Sequence, residues 1–445
     1  MSRTRVKAPE KPGLGVRLNI PYLQGTYLAL NAIPDAYFLG DGPSCVFAKA
    51  EQVHGRHDLF SNLLSCGCDH RVQYTGVNVF TIAGNFEAGI MAAMKRIASW
   101  PGCGVFFMGS MPMCSIAGTD YERLLREALG SKAKPSFLLP RRSAVYGDWL
   151  DGYAAMLSTM AAGMDLSGAQ PRAGEVALVG YFMDRNEGDH HGNVVELERM
   201  LRALGLGSAS IWLSGRPYES LREARHAEAV ISLPHGREAG KVLARRLGVK
   251  LVEAELPFGL EASKRFIVRL GKELGRERAA RDFIEGEAEV AASQLERFAP
   301  AAFGGRKFTF CGDPHHACGF VEQVEGFGGR VASMLLIGGE HHATEAQRGA
   351  LLSHPMTVFE PMTAEVEAGW GRDEGIDLVV SNTLALKYTL GERGAWLELG
   401  FPSAYTHFLK DEPFLGPRGA VRFLARAANE LARGLYMGKP SEGAP

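Results

Sequence analysis

The stretch VALVGYFMDRNEGDHHGNVVELERMLRALGLG, residues 176–207, decides the fold of this chain. Its first seven residues, VALVGYF, form a continuous apolar run of strand length, which is typical of a strand that is buried on both faces. A polar loop follows, and the amphipathic segment NVVELERMLRALGLG then predicts a helix that ends at a glycine. The stretch is therefore one strand–helix unit.

The same unit recurs on both sides of a gap, APAAFGGRK, at residues 299–307. Before the gap, further buried strands are predicted at ASIWLS, AVISLP and VKLVEAEL, and helices at YESLREARHAE and REAGKVLARRLG. After it, strands are predicted at FTFCG, VASMLLIGG, MTVFEPM, IDLVVSN and WLELGFP, with a helix over 315–327. In the N-terminal part, AYFLGDG, NVFTIAGN, GVFFMGS and SFLLP predict strands, and FEAGIMAAMKRIAS and DYERLLREALG predict helices.

Alternation of this kind predicts an α/β fold with three Rossmann-like domains, each a parallel sheet flanked by helices. We expect an N-terminal α/β domain at residues 15–172, a second Rossmann-like domain at 173–300 and a third at 301–440.

Composition excludes several classes of function. The net charge of −1 over 445 residues argues against a nucleic-acid-binding protein or one that binds anionic membrane surfaces. The longest apolar stretches are too short to cross a bilayer, and the N-terminus lacks the apolar core of a signal peptide, so we expect a cytoplasmic protein. Seven cysteines in a chain of this length do not suggest a disulfide framework, and we interpret them as thiols or ligands.

Histidine pairs follow three of the predicted strands. In parallel sheets, ligands bind beyond the carboxyl ends of the strands, so these pairs predict one substrate or cofactor cavity between the domains. A single histidine in such a place more often caps a helix or faces solvent, but the repetition favours a shared role, such as proton donation, anion contact or metal binding. No spacing resembles HExxH or a zinc finger, so a dedicated zinc site is not predicted. The residues expected to line the cavity are His190, His191, His235, His315, His316, His341 and His342.

Four cysteines of the N-terminal domain also lie beside predicted strand ends. Cys45 follows AYFLGDGPS, Cys114 follows GVFFMGSMPM, and Cys66 and Cys68 lie in LLSCGCDH. A Thr119-x-x-Glu122 capping box would place Cys114 just before a helix N-terminus, a position that favours thiolate. Several thiols at one sheet edge suggest an iron–sulfur cluster, although each alone could be inert core; Cys103 and Cys318 are interpreted as structural.

The sequence resembles the nitrogenase component 1 family, which includes the paired catalytic subunits of nitrogenase, their cofactor-assembly relatives and dark-operative protochlorophyllide reductase. The segments that carry the resemblance are GPSC (42–45), GSMPMCSIAGTDYERL (109–124), LPFGLEASKRFIVRL (256–270) and ELGFPSAYTHFLKDEPFLGPRGAVRFLARAANEL (398–431). The resemblance implies three Rossmann-like domains around a cavity. It also implies a cluster, of the 4Fe-4S type, held by Cys45 and Cys114 at an interface between homologous subunits, and an ATP-hydrolysing iron–sulfur reductase that supplies electrons.

Two departures from the family pattern are informative. The family has an earlier cluster cysteine about two dozen residues before Cys45, whereas RLNIPYLQGTYL at 17–28 contains none. Cys66 or Cys68, a partner subunit, or an Asn, Tyr or water could complete the ligand set. ISLPHGREAG at 231–240 lacks the cysteine that anchors the metal cofactor of the nitrogenase α-subunit and offers His235 nearby, so dinitrogen reduction is not predicted.

Three functions are compatible with these observations, and the catalytic residues stay unassigned. The first is a reductase subunit that binds an iron–sulfur cluster, pairs with a homologue or with a second copy, and reduces a small-molecule or tetrapyrrole-like substrate. The second is a scaffold or carrier for a metallocluster or tetrapyrrole, without turnover. The third is a plain sugar- or nucleotide-binding α/β protein, but the chain has neither a GxGxxG loop nor a P-loop to support it.

Overall fold

The computed structural model describes most of the chain and contains three parallel sheets. The described residues are 17–64, 70–82, 84, 86–115, 117–130, 134–141, 147–296, 298–363, 375–389 and 395–437. Every strand pairing within the three sheets is parallel, as the apolar runs predicted. The α/β architecture expected from the sequence is therefore confirmed.

The first sheet has the strand order β2-β1-β3-β4. Its strands are β1 (Ala36–Asp41), β2 (Val72–Tyr74), β3 (Val105–Ser110) and β4 (Ser136–Leu138). The helices around it are α1 (Tyr22–Asn31), α2 (Cys45–Ala50), α3 (Val79–Ile82), α4 (Glu87–Ser99), α5 (Pro112–Ser115), α6 (Tyr121–Leu129) and α7 (Trp149–Gly163).

The second sheet has the corresponding order, β6-β5-β7-β8. Its strands are β5 (Arg172–Val179), β6 (Gly207–Ile211), β7 (Ala227–Ser232) and β8 (Lys250–Glu253). The helices that follow these strands are α8 (Gly188–Ala203), α9 (Tyr218–Arg222), α10 (Arg237–Leu247), α11 (Leu260–Leu274), α12 (Glu277–Leu295) and α13 (Ala299–Phe303).

The third sheet has five strands in the order β11-β10-β9-β12-β13. They are β9 (Lys307–Gly312), β10 (Arg330–Leu336), β11 (Thr357–Phe359), β12 (Leu378–Ser381) and β13 (Ala395–Glu398). The remaining helices are α14 (Pro314–Gly326), α15 (Glu345–Leu352), α16 (Thr383–Thr389) and α17 (Gly416–Met437).

In each sheet, the strand that comes first in the chain lies inside the sheet, and later strands are added first on one side of it and then on the other. This reversal of strand order lies between β1 and β3, between β5 and β7, and between β9 and β12. At such switch points the loops leave the sheet in opposite directions and open a crevice beyond the carboxyl ends of the strands. The topology therefore offers three crevices in which ligands can bind.

Helices α1 and α7 pack closely because each has a glycine, Gly25 or Gly152, that faces the backbone of the other helix. A Cβ atom on Gly25 would lie 1.6 Å from the carbonyl oxygen of Trp149, and one on Gly152 would lie 1.9 Å from that of Tyr22. The indole N–H of Trp149 in turn donates a hydrogen bond to the carbonyl of Ile337, 2.8 Å away beyond β10. Helix α7 thus fixes the first sheet against the third.

One hydrophobic core runs through all three sheets and includes residues from Leu18 to Leu431. The domain boundaries expected near residues 172 and 300 accordingly stay a prediction. Within the described part of the chain, no helix is long and apolar enough to cross a membrane.

Two local predictions are wrong. NVFTIAGN was expected to be a strand, but Val79–Ile82 is a helical turn, because the side chain of Asn78 accepts hydrogen bonds from the N–H groups of Phe80 and Thr81. The strand at this edge is β2, a few residues earlier. The Thr119/Glu122 capping box is also absent: Asp120 caps α6 by accepting the N–H of Arg123 at 3.0 Å.

Candidate functional site

Cys45 and Cys114 lie at the switch point of the first sheet. Strands β1 and β3 are neighbours, with Asp41 paired to Ser110 at their carboxyl ends. Cys45 is the first residue of α2, and Cys114 lies in the single turn of α5. The two thiols are therefore presented by the loops of adjacent parallel strands, as the sequence predicted.

The environment of Cys114 does not favour thiolate. Burial, together with the charges of Asp41 and Cys45, raises the pKa of the Cys114 thiol to about 12. Asp41 is itself buried and accepts hydrogen bonds from the hydroxyls of Tyr121 and Thr75. The expected helix N-terminus is not beside the sulfur, since α6 begins seven residues later. Without a bound metal, Cys114 is a neutral thiol.

Cys45 is exposed, and apolar side chains near the pair are exposed as well. Met113 adjoins Cys114 in sequence, and the side chain of Phe80 is 89% exposed beside Thr81, which lines a small cavity with Cys114. A surface that combines a thiol with uncovered apolar groups has the composition of a protein–protein contact.

The ligand set around these thiols is incomplete in the described part of the chain. Cys66 and Cys68 lie outside the described residues. No group of three potential ligand atoms within 4.8 Å of one another includes Cys45 or Cys114 among the residues that are described. Cys103 is buried with its thiol 3.6 Å from the carbonyl of Val105, and Cys318 lies within α14.

A second cluster lies where the second and third sheets meet, and Asp313 is one of its two centres. The Oδ2 atom of Asp313 lies 2.7 Å from Nε2 of His235 and 3.6 Å from Nδ1 of His316. Its Oδ1 atom accepts the backbone N–H of His315 at 2.8 Å, so Asp313 also caps α14. Burial raises the pKa of this carboxyl, but the adjacent imidazoles outweigh burial and hold the pKa well below its ordinary value.

The imidazoles of α14 are kept neutral at physiological pH. Burial lowers the pKa of His316 to about 4, even though the charge of Asp313 opposes this change. Burial, followed by the charge of His235, also holds the pKa of His315 well below its ordinary value. Neutral imidazole is the form that binds metal ions.

Asp184 is the second centre of the cluster. Its Oδ1 atom lies 2.7 Å from Nε2 of His190, and its backbone carbonyl lies 3.0 Å from Nε2 of His57. Nδ1 of His57 accepts the N–H of Ser403 at 2.9 Å, which leaves Nε2 to donate to the carbonyl of Asp184. Nδ1 of His190 lies 2.8 Å from the hydroxyl of Tyr181.

The two centres form one continuous cluster. The rings of His235 and His315 are 4.4 Å apart between centroids, and those of His315 and His342 are 6.1 Å apart. His316 and His190 flank the same ring, that of Phe414, at 5.8 Å and 5.3 Å. All three histidine pairs thus contribute at least one member.

Two of the predicted residues lie outside the buried cluster. His191 is exposed beside Gly215, on the side of α8 away from His190. The side chain of His341 is 61% exposed and contacts Asp151 at 3.0 Å, while His342 is half-buried beside Asp148 at 2.9 Å. Neighbours in a pair point apart because successive residues of a helical turn face different directions.

Sequence reasoning missed the carboxylates and His57. Asp184 and Asp313 lie between a strand and the helix that carries the predicted histidines, so an acidic residue in the segment after a strand was the available signal. His57 carried no such signal, because it lies in a loop of the first sheet and reaches Asp184 across 127 positions of the chain.

The space beside His190 and His316 is small. The cavity between these rings, Arg185, Glu398 and Phe408 has a volume of about 20 Å³. That is room for about one water molecule. A tetrapyrrole or a large metallocofactor does not fit there with the side chains as they stand.

Comparison with known proteins places these features in a family context. Residues 23–432 match the family described as nitrogenase component 1 type oxidoreductase. The nitrogenase molybdenum-iron protein beta chain of Clostridium pasteurianum is 23% identical over 227 residues, 49% of this chain and 48% of that protein. The chain thus aligns with about half the length of this curated relative.

Two solved structures share the fold over nearly their whole length. A structure of nitrogenase Cp1 at pH 6.5 has a TM-score of 0.80 at 16% identity and covers 99% of this chain and 98% of its own. A structure of nitrogenase Cp1 at pH 5 has a TM-score of 0.72 at 13% identity, with 98% and 93% covered. At these identities the likeness shows the fold alone.

Proposed function

Because this chain belongs to the nitrogenase component 1 type oxidoreductase family, with a match over residues 23–432, we propose that it is a nitrogenase-like reductase subunit. In this proposal it binds an iron–sulfur cluster at Cys45 and Cys114 and reduces a small molecule. The observation that carries the proposal is the placement of these two thiols at the ends of β1 and β3. A cluster of this kind accepts and passes on single electrons when bound.

The ligand set is completed by other thiols. Cys45 and Cys114 supply two sulfurs, and Cys66 and Cys68 follow in the same region of the sequence. Binding of metal drives the proton from the Cys114 thiol, whose high pKa disfavours thiolate otherwise. The exposed side of Cys45, with Phe80 and Met113, fits a partner subunit that covers the cluster. The partner is a homologous component 1 subunit or a second copy of this chain.

Electrons come from an ATP-dependent iron–sulfur reductase in this proposal. The family membership is the reason for naming this class of donor, since the chain itself has no P-loop with which to hydrolyse ATP. The donor must dock within electron-transfer distance of the cluster, and the cluster lies close to the surface at Cys45.

The buried histidine cluster is suited to supplying protons. Burial lowers the pKa of His190, but the carboxylates of Asp184 and Asp189 outweigh it and raise the pKa above its ordinary value. His190 therefore holds a proton at Nε2, beside Asp184, in a site that excludes bulk water. Such a group can act as a general acid towards a reduced substrate.

The size of the cavity favours a small substrate. A volume of about 20 Å³ beside His190 does not support a tetrapyrrole substrate or a scaffold that carries a large cofactor at this position. Dinitrogen reduction is not proposed, because no cysteine stands in ISLPHGREAG and His235 of that segment is bonded to Asp313.

The proposal is tested by ATP-dependent reduction of the cluster. The chain is purified without oxygen with the products of its neighbouring genes, and the iron–sulfur reductase is added with or without MgATP. We expect the visible absorbance of an oxidised cluster to bleach, and an EPR signal to appear, only when MgATP and the reductase are both present. A complex that contains iron and sulfide but is never reduced in this way would contradict the proposed role in electron transfer.

A further inference from the structure

Three potential metal ligands meet at the ends of β7 and β9. His235 lies in the helical turn after β7, and Asp313 and His315 follow β9 directly. One ligand atom from each residue lies within 4.8 Å of the other two, and all three side chains are buried. The spacing that one metal ion requires is therefore present in the protein itself.

Backbone contacts fix two of these ligands relative to each other. The Oδ1 atom of Asp313 accepts the N–H of His315 and is committed to capping α14. The Oδ2 atom points at His235 instead, 2.7 Å from Nε2. One carboxylate oxygen thus holds the helix in place, while the other faces the ring of His235, and an ion between them would replace that single contact.

Two ring nitrogens in the cluster lack hydrogen-bond partners. Nδ1 of His235 and Nε2 of His316 are fully enclosed, and neither makes a hydrogen bond to any residue that the structure describes. Leaving a buried polar atom unsatisfied costs on the order of 1–3 kcal/mol. Of the three potential ligands, His235 carries one of these atoms, so its ring has a nitrogen whose lone pair is available to a ligand.

We propose that His235, Asp313 and His315 bind a single divalent transition-metal ion. Two imidazole nitrogens and one carboxylate oxygen form the donor set of non-haem iron(II) sites and of several catalytic zinc sites. Three protein ligands leave coordination positions open to water or to a small molecule. This site is separate from the cysteines and does not rest on the proposed function.

A neighbouring group of potential ligands is less suited to a metal ion. Asp148, Asp151, His341 and His342 also come within 4.8 Å of one another, but this group is partly exposed. Asp148 already accepts hydrogen bonds from the N–H groups of Leu150, Asp151 and Gly339 and from His342. Its oxygens are therefore occupied. The control variant is His354→Gln, which lies outside both groups and should leave metal binding unchanged.

The test is a titration of the metal-stripped full chain with Co²⁺. Wild-type protein should bind one Co²⁺ at this site and show weak visible absorption bands. A Co²⁺ ion held by cysteines would add a sulfur-to-cobalt charge-transfer band, which an ion held by two histidines and one aspartate does not have. Asp313→Asn keeps the cap of α14 through its side-chain carbonyl, and His315→Gln keeps Asp313. Because each removes a direct ligand, we expect each to weaken this binding by at least about 100-fold.

Circular dichroism of each variant separates loss of the site from loss of the fold. The wild-type spectrum tests the proposal even if both variants unfold: a stripped wild-type chain that gives no sulfur-free Co²⁺ spectrum would overturn it. Folded Asp313→Asn and His315→Gln proteins that bind Co²⁺ as wild type does would overturn it too, as would loss of binding in His354→Gln. A protein that contains no iron–sulfur cluster but still gives the sulfur-free Co²⁺ spectrum would support the metal site, whatever the outcome of the electron-transfer experiment.

Discussion

The Oδ1 atom of Asp184 lies 2.7 Å from Nε2 of His190, and both side chains are buried. Burial raises the pKa of Asp184, but His190 and His57 outweigh it and hold the pKa well below its ordinary value. The pKa of His190 moves the other way, because Asp184 and Asp189 outweigh both burial and the charge of Arg185. The two residues form a buried ion pair at neutral pH.

This ion pair should make stability depend on pH. The contribution of His190 is fully present below the ordinary histidine pKa of 6.5 and is lost as pH rises through the raised pKa. The contribution of Asp184 is present above its ordinary pKa of 3.8 and is lost only as pH falls towards the lowered value. The contribution of this ion pair to the free energy of unfolding should therefore be greatest between pH 3.8 and pH 6.5, and it should decline towards alkaline pH.

The substitution Asp184→Asn should make the alkaline decline less steep, because it removes the larger of the two carboxylate charges that raise the pKa of His190. Denaturant unfolding between pH 5.5 and 9 measures the slope, and Asp282→Asn, at an exposed carboxylate, is the control. An Asp184→Asn protein whose stability changes with pH as steeply as that of wild type would show that the pair does not act in this way.

Glu187 should be a major source of stability because it joins three parts of the chain. Its buried carboxylate accepts the N–H of Leu59 at 3.1 Å and that of Phe408 at 2.9 Å, and Nδ1 of His407 lies 2.8 Å away. Glu187→Ala leaves buried donors unsatisfied and should lower the free energy of unfolding by about 3–5 kcal/mol. Glu187→Gln keeps one acceptor oxygen and should cost less. Chemical denaturation compares the two, and equal losses would contradict this explanation.

The contact between α1 and α7 should not tolerate a methyl group. Gly25→Ala and Gly152→Ala each place Cβ within 2 Å of a backbone carbonyl oxygen, so the helices must separate. We expect each substitution to cost at least about 3 kcal/mol, at the upper end of overpacking effects. Gly286→Ala is the matched control, since nothing lies within 4 Å of its added Cβ, and helix propensity predicts a small gain. Thermal unfolding that ranks all three variants alike would contradict the helix contact.

The two cluster cysteines should differ in reactivity when no metal is bound. Cys45 is exposed, whereas Cys114 is buried and its pKa of about 12 keeps it protonated. Iodoacetamide at pH 8 should therefore label Cys45 much faster than Cys114, as read from peptide masses. In the iron-loaded complex, both should be protected. Equal labelling of the two thiols in the metal-free chain would contradict the burial of Cys114.

The sequence predicted the sheets well because their signals are local. VALVGYF, AVISLP and FTFCG are apolar runs, and the structure places β5, β7 and β9 in them. The side chains that follow these strands were also found, because a strand end can be located from its own residues. The exception, NVFTIAGN, has an apolar run too short to separate a strand from a helical turn, and the cap at Asn78 decided the outcome.

The pairing of charges across the cluster could not be predicted in the same way. His235 meets Asp313 across 78 positions, and His57 meets Asp184 across 127. These contacts exist only after three sheets have packed together, and neither propensity nor spacing carries information about that step. The sequence therefore placed His235 and His315 in a cavity and named metal binding among the roles of its histidines, but it did not identify Asp313 as a third ligand beside them.

The cluster at Cys45 and Cys114 is the central claim of this account, and the iron and acid-labile sulfide content of the oxygen-free complex tests it most directly. Wild-type protein and Cys103→Ala should contain the same amounts, because Cys103 is buried away from the switch point with its thiol against Val105. Cys45→Ala and Cys114→Ala should lose most of both elements while keeping the circular dichroism of the folded chain. Full iron and sulfide in either of these two variants would contradict the assignment.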